Sequence, residues 1–353
     1  MMRPRRQTRL IHVGGVPIGG ASPVSIQSMT KTDTRDTGAT IRQIKMLKKE
    51  GCDIIRVAVP DMEAAFALGA IKKASPIPVI ADIHFDWRLA IEAVRQGVDG
   101  LRINPGNIGA AWKLKEVVAA LRERSVPVRV GVNAGSLEKK ILSRYGHPSA
   151  PALVESALGQ IALLEKLGHD RIKVSLKASN VPTTAEAYML FAEKSDYPLH
   201  IGISEAGPPA VGIIKSAVGL GILLDQGVGD TMRVSLTGNP AEEVRTARLI
   251  LQSLGMGGAG AEIISCPTCG RTTIDIEKLA SRVERRLRGV RKPLKVAVMG
   301  CVVNGPGEAR EADFGVTGSK GTGILFKKGK ILRTVAEEKL LDELMKEIGR
   351  WRP

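Results

Sequence analysis

Three cysteines and a glutamate near the C-terminus are the residues best suited to hold a soft metal. Cys266 and Cys269 form a C-x-x-C in "SCPTCGR", and Cys301 opens "CVVNGPGE", which closes on Glu308. Thiolates gathered without a cation repel one another and resist ionisation, so a metal resolves the cluster. Three readings compete. A redox C-x-x-C would open a helix in a βα unit. A zinc ribbon would need a second C-x-x-C, which the chain lacks. An iron-sulfur cluster takes soft ligands gathered from loops. "AEIISC" and "KVAVMGC" both read as apolar strands, so neighbouring strands can bring Cys266, Cys269 and Cys301 to one edge. The turn at Gly305-Pro306-Gly307 can fold Glu308 back to that edge as a harder, more labile ligand. On spacing alone Glu308 reads only as a surface carboxylate. Cys52, before the apolar "DIIRVAV", reads as a buried apolar residue.

A second set of chemical residues lies far upstream, at the ends of apolar runs. Arg56, Asp82, His84, Arg102, Arg129, Asn133, Lys173, Lys177, Glu205, Arg233 and Ser235 all fall there. Residues two apart on a strand share a face, which pairs Asp82 with His84, Arg129 with Asn133, Lys173 with Lys177, and Arg233 with Ser235. Buried cations need anionic partners. Too few acids occur at these ends to neutralise the six Arg and Lys side chains, so the missing charge is assigned to a ligand. A diphosphate fits, because Arg forks bind phosphate oxygens in pairs. Glu205, in "SEAG", can protonate a leaving oxygen or hold an Arg in place. His84 is open in the same way between proton transfer and a hydrogen-bonded structural role.

Positioning these residues takes a regular scaffold. From about residue 24 to 255 apolar runs alternate with helix-like segments, beginning with "PVSIQSMT" and ending with "PAEEVRTARLILQSLG". Eight such βα units predict a (β/α)8 TIM-type barrel, whose strand C-termini carry the chemistry. No G-x-G-x-x-G follows the first strand, which argues against a doubly wound sheet. After "GMGGAGAEI" the pattern changes to a small α/β domain. The expected domains are 1–258, the barrel that binds the diphosphate, and 259–353, the metal-bearing domain.

The formal net charge of +16 raises nucleic acid as a partner, but only eleven Phe, Trp and Tyr are present to stack on bases. A phosphorylated small molecule or an acidic protein uses the same charge. No apolar window spans a bilayer and the basic start lacks an apolar signal core, so a cytoplasmic protein without membrane attachment is expected. A cluster-bearing nucleic-acid regulator and a zinc-stabilised, phosphate-binding barrel remain the rival readings.

The combination of "PVSIQSMT", "TDT", "ADIHF", "LRINPGN", "RVGVNAGSL", "SLKAS", "ISEAG", "CPTCGR" and "CVVNGPGE" closely resembles the 4-hydroxy-3-methylbut-2-enyl diphosphate synthases, in their compact two-domain bacterial form. The resemblance covers nearly the whole chain. It implies a [4Fe-4S] cluster on Cys266, Cys269, Cys301 and Glu308, with Asn304 beside it. It implies reductive ring opening of 2-C-methyl-D-erythritol 2,4-cyclodiphosphate with loss of water, and reduced flavodoxin or ferredoxin as the electron donor. It carries the family's anion-binding positions to Arg56, Arg102, Arg129, Lys177, Arg233 and Ser235, and its other polar site positions to Asp82, His84, Asn133 and Glu205. Lys173 is added on strand parity alone. A head-to-tail homodimer, one subunit's cluster over the other's barrel, is also implied.

Overall fold

In the computed structural model the described residues are 3–353, apart from 179, 258–259, 273, 289, 291–292, 302–306, 308 and 320, and 352–353. The chain divides into two compact units, residues 1–256 and 257–353.

The first unit is a parallel barrel. Its strands are β3 (Ser25–Met29), β4 (Ile54–Ala58), β5 (Val79–Asp82), β6 (Gly100–Ile103), β7 (Val128–Asn133), β8 (Ile172–Lys177), β9 (His200–Ile201) and β10 (Thr231–Met232). Strands β3 to β8 pair in chain order, β10 pairs with both β3 and β9, and a bridge from Val174 to Leu199 joins β8 to β9. The predicted eight-unit barrel is therefore observed. The helices that follow are α1 (Thr37–Glu50), α2 (Met62–Ala74), α3 (Trp87–Arg95), α4 (Ala111–Glu123), α6 (Ala150–Lys166), α7 (Val181–Lys194), α8 (Pro209–Asp225) and α9 (Pro240–Ser253). Many βα turns end on a side-chain cap. Asp61, for example, accepts the Ala64 N–H at 2.9 Å, and Asn180 accepts that of Thr183 at 2.8 Å. Outward strand residues such as Val57, Val128, Val130, Leu176 and Ile201 pack with the helices into one continuous core. Burying each such side chain contributes about 1.5–3 kcal/mol.

Two elements were not expected. A hairpin of β1 (Ile11–Val13) and β2 (Val16–Ile18) packs Ile11, Val13 and Ile18 against inward-facing Ile54 and Ile80, forming an apolar floor in the barrel. Its turn is Gly14-Gly15, with Gly14 at φ +55°, the left-handed conformation that a tight hairpin requires. A short helix α5 (Lys139–Tyr145) precedes α6.

The second unit is a five-stranded sheet in the order β11 (Ala261–Ser265), β12 (Leu294–Met299), β13 (Phe314–Ser319), β14 (Thr322–Lys327), β15 (Lys330–Ala336). β11 to β13 run parallel and β13 to β15 antiparallel. Helices α10 (Ile276–Leu287) and α11 (Leu340–Arg350) share its apolar core, which includes Val283, Val296, Phe314 and Leu344. Among the described residues no helix is long and apolar enough to cross a membrane.

Candidate active site

Above the apolar floor the barrel interior is polar, where barrels of this type are usually filled by branched apolar side chains. Register explains how the cations meet. Asp82 lies opposite Arg102 on the neighbouring strand, Arg102 opposite Arg129, and Arg129 opposite Lys173. Arg56, Arg102, Arg129, Lys173 and Lys177 are all buried. Two glycines make room for their long chains. A Cβ on Gly131 would fall 2.9 Å from Arg102 Nε, and one on Gly202 would fall 2.9 Å from Lys177 Nζ.

The mouth holds a cavity of about 710 Å³. Arg56, Asp82, His84, Arg102, Arg129, Asn133, Lys177, Glu205, Arg233 and Ser235 line it, joined by Phe85, Asn104 and Ser175 among others. Ten of the eleven barrel residues singled out in the sequence thus share one cavity. The eleventh, Lys173, does not line it: the side chain is 1% exposed, deeper in the barrel, and Nζ has no hydrogen-bond partner. Strand parity gave Lys173 the inward face but not its depth.

Few acids offset these charges. Asp82 lies 3.2 Å from Arg102 Nη1 and 3.5 Å from Arg56 Nε. Glu243, from the first turn of α9, lies 3.2 Å from Arg233 and 3.1 Å from Lys31. Sequence reading missed Glu243; its only signal was the acidic pair Glu242-Glu243 behind the Asn239 cap. Arg129, Lys173 and Lys177 have no ion pair among the described residues, and Arg129 Nε and Nη1 are buried without a hydrogen-bond partner.

The protonation equilibria record this strain. Burial, reinforced by Arg56 and Arg102, lowers Arg129 well below its usual value. Burial and Arg129 do the same to Lys177, and lower Lys173 to about 7. Arg56 is lowered by burial to about 10 despite Asp82. Burial pushes the Asp82 carboxyl up, but Arg56, His84 and Arg102 outweigh it and hold the group well below the ordinary carboxylate range. His84 is exposed, with Nε2 2.7 Å from Arg102 Nη1 and 3.7 Å from Asp82 Oδ1. Glu205 is exposed, makes no ion pair with a described residue, and has φ +51°, a left-handed conformation that strains a residue with a side chain.

In the second unit, β11 and β12 run parallel with Ser265 opposite Val298, so Cys266 and Cys301 follow adjacent strand ends. Cys266 Sγ accepts the Gly300 N–H at 3.2 Å, and the Cys269 N–H donates to Thr272 Oγ1 at 3.1 Å. Cys269 is exposed and the other two are half-buried. Among the described residues no three His, Cys, Asp or Glu side chains converge as a metal site. Asn304 and Glu308 lie outside the described residues. Cys52 is fully buried, as expected.

Residues 8–248 match the family model described as the GcpE TIM-barrel domain, and residues 262–350 match the GcpE protein C-terminal domain. The chain belongs to the GcpE family. GcpE-family relatives include a protein of Geobacter sulfurreducens, 61% identical over 98% of both chains. Another is from Thermodesulfovibrio yellowstonii, 60% identical over 98% of this chain and 99% of its own. Both are named 4-hydroxy-3-methylbut-2-en-1-yl diphosphate synthase (flavodoxin). Among solved structures, the dihydropteroate synthase of Yersinia pestis aligns with a TM-score of 0.51 at 11% identity, over 70% of this chain and 98% of its own. That of Coxiella burnetii aligns with 0.51 at 15%, over 71% and 98%. At such identities the likeness is one of fold alone, and it covers the barrel architecture.

Proposed function

We infer that this GcpE-family chain is an enzyme that converts 2-C-methyl-D-erythritol 2,4-cyclodiphosphate to 4-hydroxy-3-methylbut-2-enyl diphosphate. The observation that carries the reading is the cationic cavity: Arg129 and Lys177 line the barrel mouth and form no ion pair with a described residue. A diphosphate supplies the missing charge. Arg56, Arg102, Arg129, Lys177 and Arg233 bind its oxygens, and Ser235 and Asn133 orient it. Burial of Arg56, Arg102, Arg129 and Lys177 in the barrel strengthens each contact.

The reaction adds two electrons and two protons, breaks the carbon–oxygen bond to the ring phosphate, and releases one oxygen as water. Glu205 is the proton donor at the leaving oxygen: it lines the cavity and no described cation holds it. His84, fixed between Arg102 and Asp82, keeps that guanidinium aimed at the anion. Asp82 stays ionised and anchors Arg56 and Arg102.

The donor set of the second unit fits an iron-sulfur cluster. Adjacent strand ends present Cys266 and Cys301, with Cys269 three residues beyond Cys266, and the Gly300 N–H already donates to a sulfur. Cys266, Cys269, Cys301 and Glu308 would hold a [4Fe-4S] cluster, with Asn304 nearby. When bound, the cluster supplies single-electron transfer to the substrate. Reduced flavodoxin is the donor the relatives' name supports, and ferredoxin is the alternative.

A cytoplasmic homodimer completes the reading. An exposed apolar stripe on α8 (Val211, Ile214, Val218 and Ile222) gives a second copy a surface to cover. Metal and turnover analysis after anaerobic purification tests the whole. Equal iron and acid-labile sulfide, with turnover of the cyclodiphosphate, is expected; zinc in place of iron refutes the reading.

A further inference from the structure

Helix α10 faces its core through Ile276, Val283 and Leu287. At about 100° per residue, Lys278, Arg282 and Arg285 fall together on the opposite side of the helix. All three are exposed. None forms an ion pair with a described residue, whereas the other arginines of this segment do: Arg286 lies 3.2 Å from Asp342, and Arg288 lies 3.6 Å from Glu284. The acids within the helix, Glu277 and Glu284, project about 80° or more away from the stripe, and the N-cap Asp275 is engaged by the Lys278 backbone N–H. Like charges at helical neighbour spacing destabilise the helix, so the stripe costs stability and gains no ion pair among the described residues.

Its place in the fold is specific. α10 begins at Ile276, directly after the loop that carries Cys266 and Cys269, and exposed Arg271 in that loop extends the positive charge toward the thiols. The helix has no aromatic side chain to stack on a base, and its apolar face is spent on the core, which leaves none to enter a bilayer. The surface therefore fits an acidic protein that must come close to the cysteine loop.

We propose that Lys278, Arg282 and Arg285, with Arg271, form the docking surface for the acidic flavoprotein that reduces this enzyme. The proposal rests on the electron-transfer reading above. Each docked donor gives up one electron and leaves oxidised by one; two dockings supply the two electrons that, with two protons, are consumed as water departs. Charge at such a rim sets the association rate and its salt dependence more than the chemistry behind it.

The test compares wild type with Lys278→Gln/Arg282→Gln/Arg285→Gln and with the corresponding triple Glu variant. Each is assayed with reduced flavodoxin and, separately, with reduced methyl viologen. Expected is a fall in kcat/KM for flavodoxin of about tenfold in the Gln variant and more in the Glu variant, with a flatter salt dependence. Methyl viologen turnover stays within about twofold of wild type, because a small reductant needs no docking surface. An unchanged flavodoxin kcat/KM overturns the proposal, and so does an equal loss with both reductants. Should wild type fail to turn over with either reductant, the enzymatic reading falls by itself. Calorimetric titration with oxidised flavodoxin at low salt then decides the surface: binding lost in the Gln variant supports it, and binding unchanged overturns it. Tighter wild-type binding to duplex DNA or anionic vesicles than to flavodoxin at the same salt also overturns it.

Discussion

Replacing Arg129 with Met should make the ligand-free barrel more stable and its anion binding much weaker. Arg129 is 2% exposed, Nε and Nη1 lack hydrogen-bond partners, and its register neighbours are Arg102 and Lys173. Asp82, the acid whose charge acts on Arg129, is already engaged by Arg56 and Arg102. Met keeps the length of the chain and removes the charge. Replacing buried ionic groups with apolar ones of similar size has stabilised other proteins by about 1–4 kcal/mol; with Asp82 partly attracting Arg129 we take about 2 kcal/mol. For a domain of this size that raises Tm by about 4–8 °C. The ligand-bound state reverses the order. Inorganic pyrophosphate at about 100 times its Kd stabilises wild type by about 2.7 kcal/mol. Losing one charged hydrogen-bond donor removes about 1.5–3 kcal/mol of binding, weakening affinity roughly 10- to 150-fold. Thermal unfolding by circular dichroism, with and without pyrophosphate, reads both effects. A ligand-free Arg129→Met that melts below wild type, or one that keeps the full pyrophosphate shift, refutes the view of the barrel as an enclosure held short of negative charge.

Lys173 gives a proton-linked counterpart. Near 7, it is largely neutral at pH 8, so a diphosphate bound above it should draw in a proton against the opposition of Arg129 and Arg56. Calorimetry of pyrophosphate binding in buffers of different ionisation heat should show net uptake at pH 8 that shrinks in Lys173→Met; equal uptake in the two proteins refutes this. Because its folded value lies below the unfolded one, the unfolded chain binds more protons between about pH 7 and 10.4, and this group makes ligand-free stability rise across that window. Glu205→Gln should lower kcat by about 10²- to 10⁴-fold while KM moves little; a selective rise in KM would make Glu205 a binding residue instead. Ile214→Glu, on the exposed α8 stripe, should convert a dimer to a monomer in sedimentation velocity without altering the circular dichroism spectrum, and an unchanged sedimentation coefficient moves the interface elsewhere.

Legibility in the sequence followed periodicity. The barrel could be read because its strands are apolar runs between helices, and the inward cations because side chains alternate with period two. The hairpin floor was missed although Gly14-Gly15 between Val13 and Val16 is a sound turn signal; three-residue strands are too short for a periodic pattern. Glu243 was missed for a different reason. It reaches Arg233 from the helix after the strand, and only the folded chain brings the two together. Lys173 shows the remaining gap: parity fixes a face, whereas distance along the barrel axis decides whether that face meets the cavity.

The same geometry accounts for how a protein tolerates such a site. The apolar work is done outside the strands, where the helices cover them, and below, where the hairpin closes the floor. The interior is thus freed from having to be a core, and its side chains can be chosen for an anion. Asp82 and Glu243 are placed so that they fix Arg56, Arg102 and Arg233 without satisfying the set. A third internal carboxylate would relieve Arg129 and Lys177, but it would compete with the ligand for them. In the proposed reading the deficit is therefore a condition of binding: the charge that finds no ion pair among the described residues is the charge offered to a diphosphate.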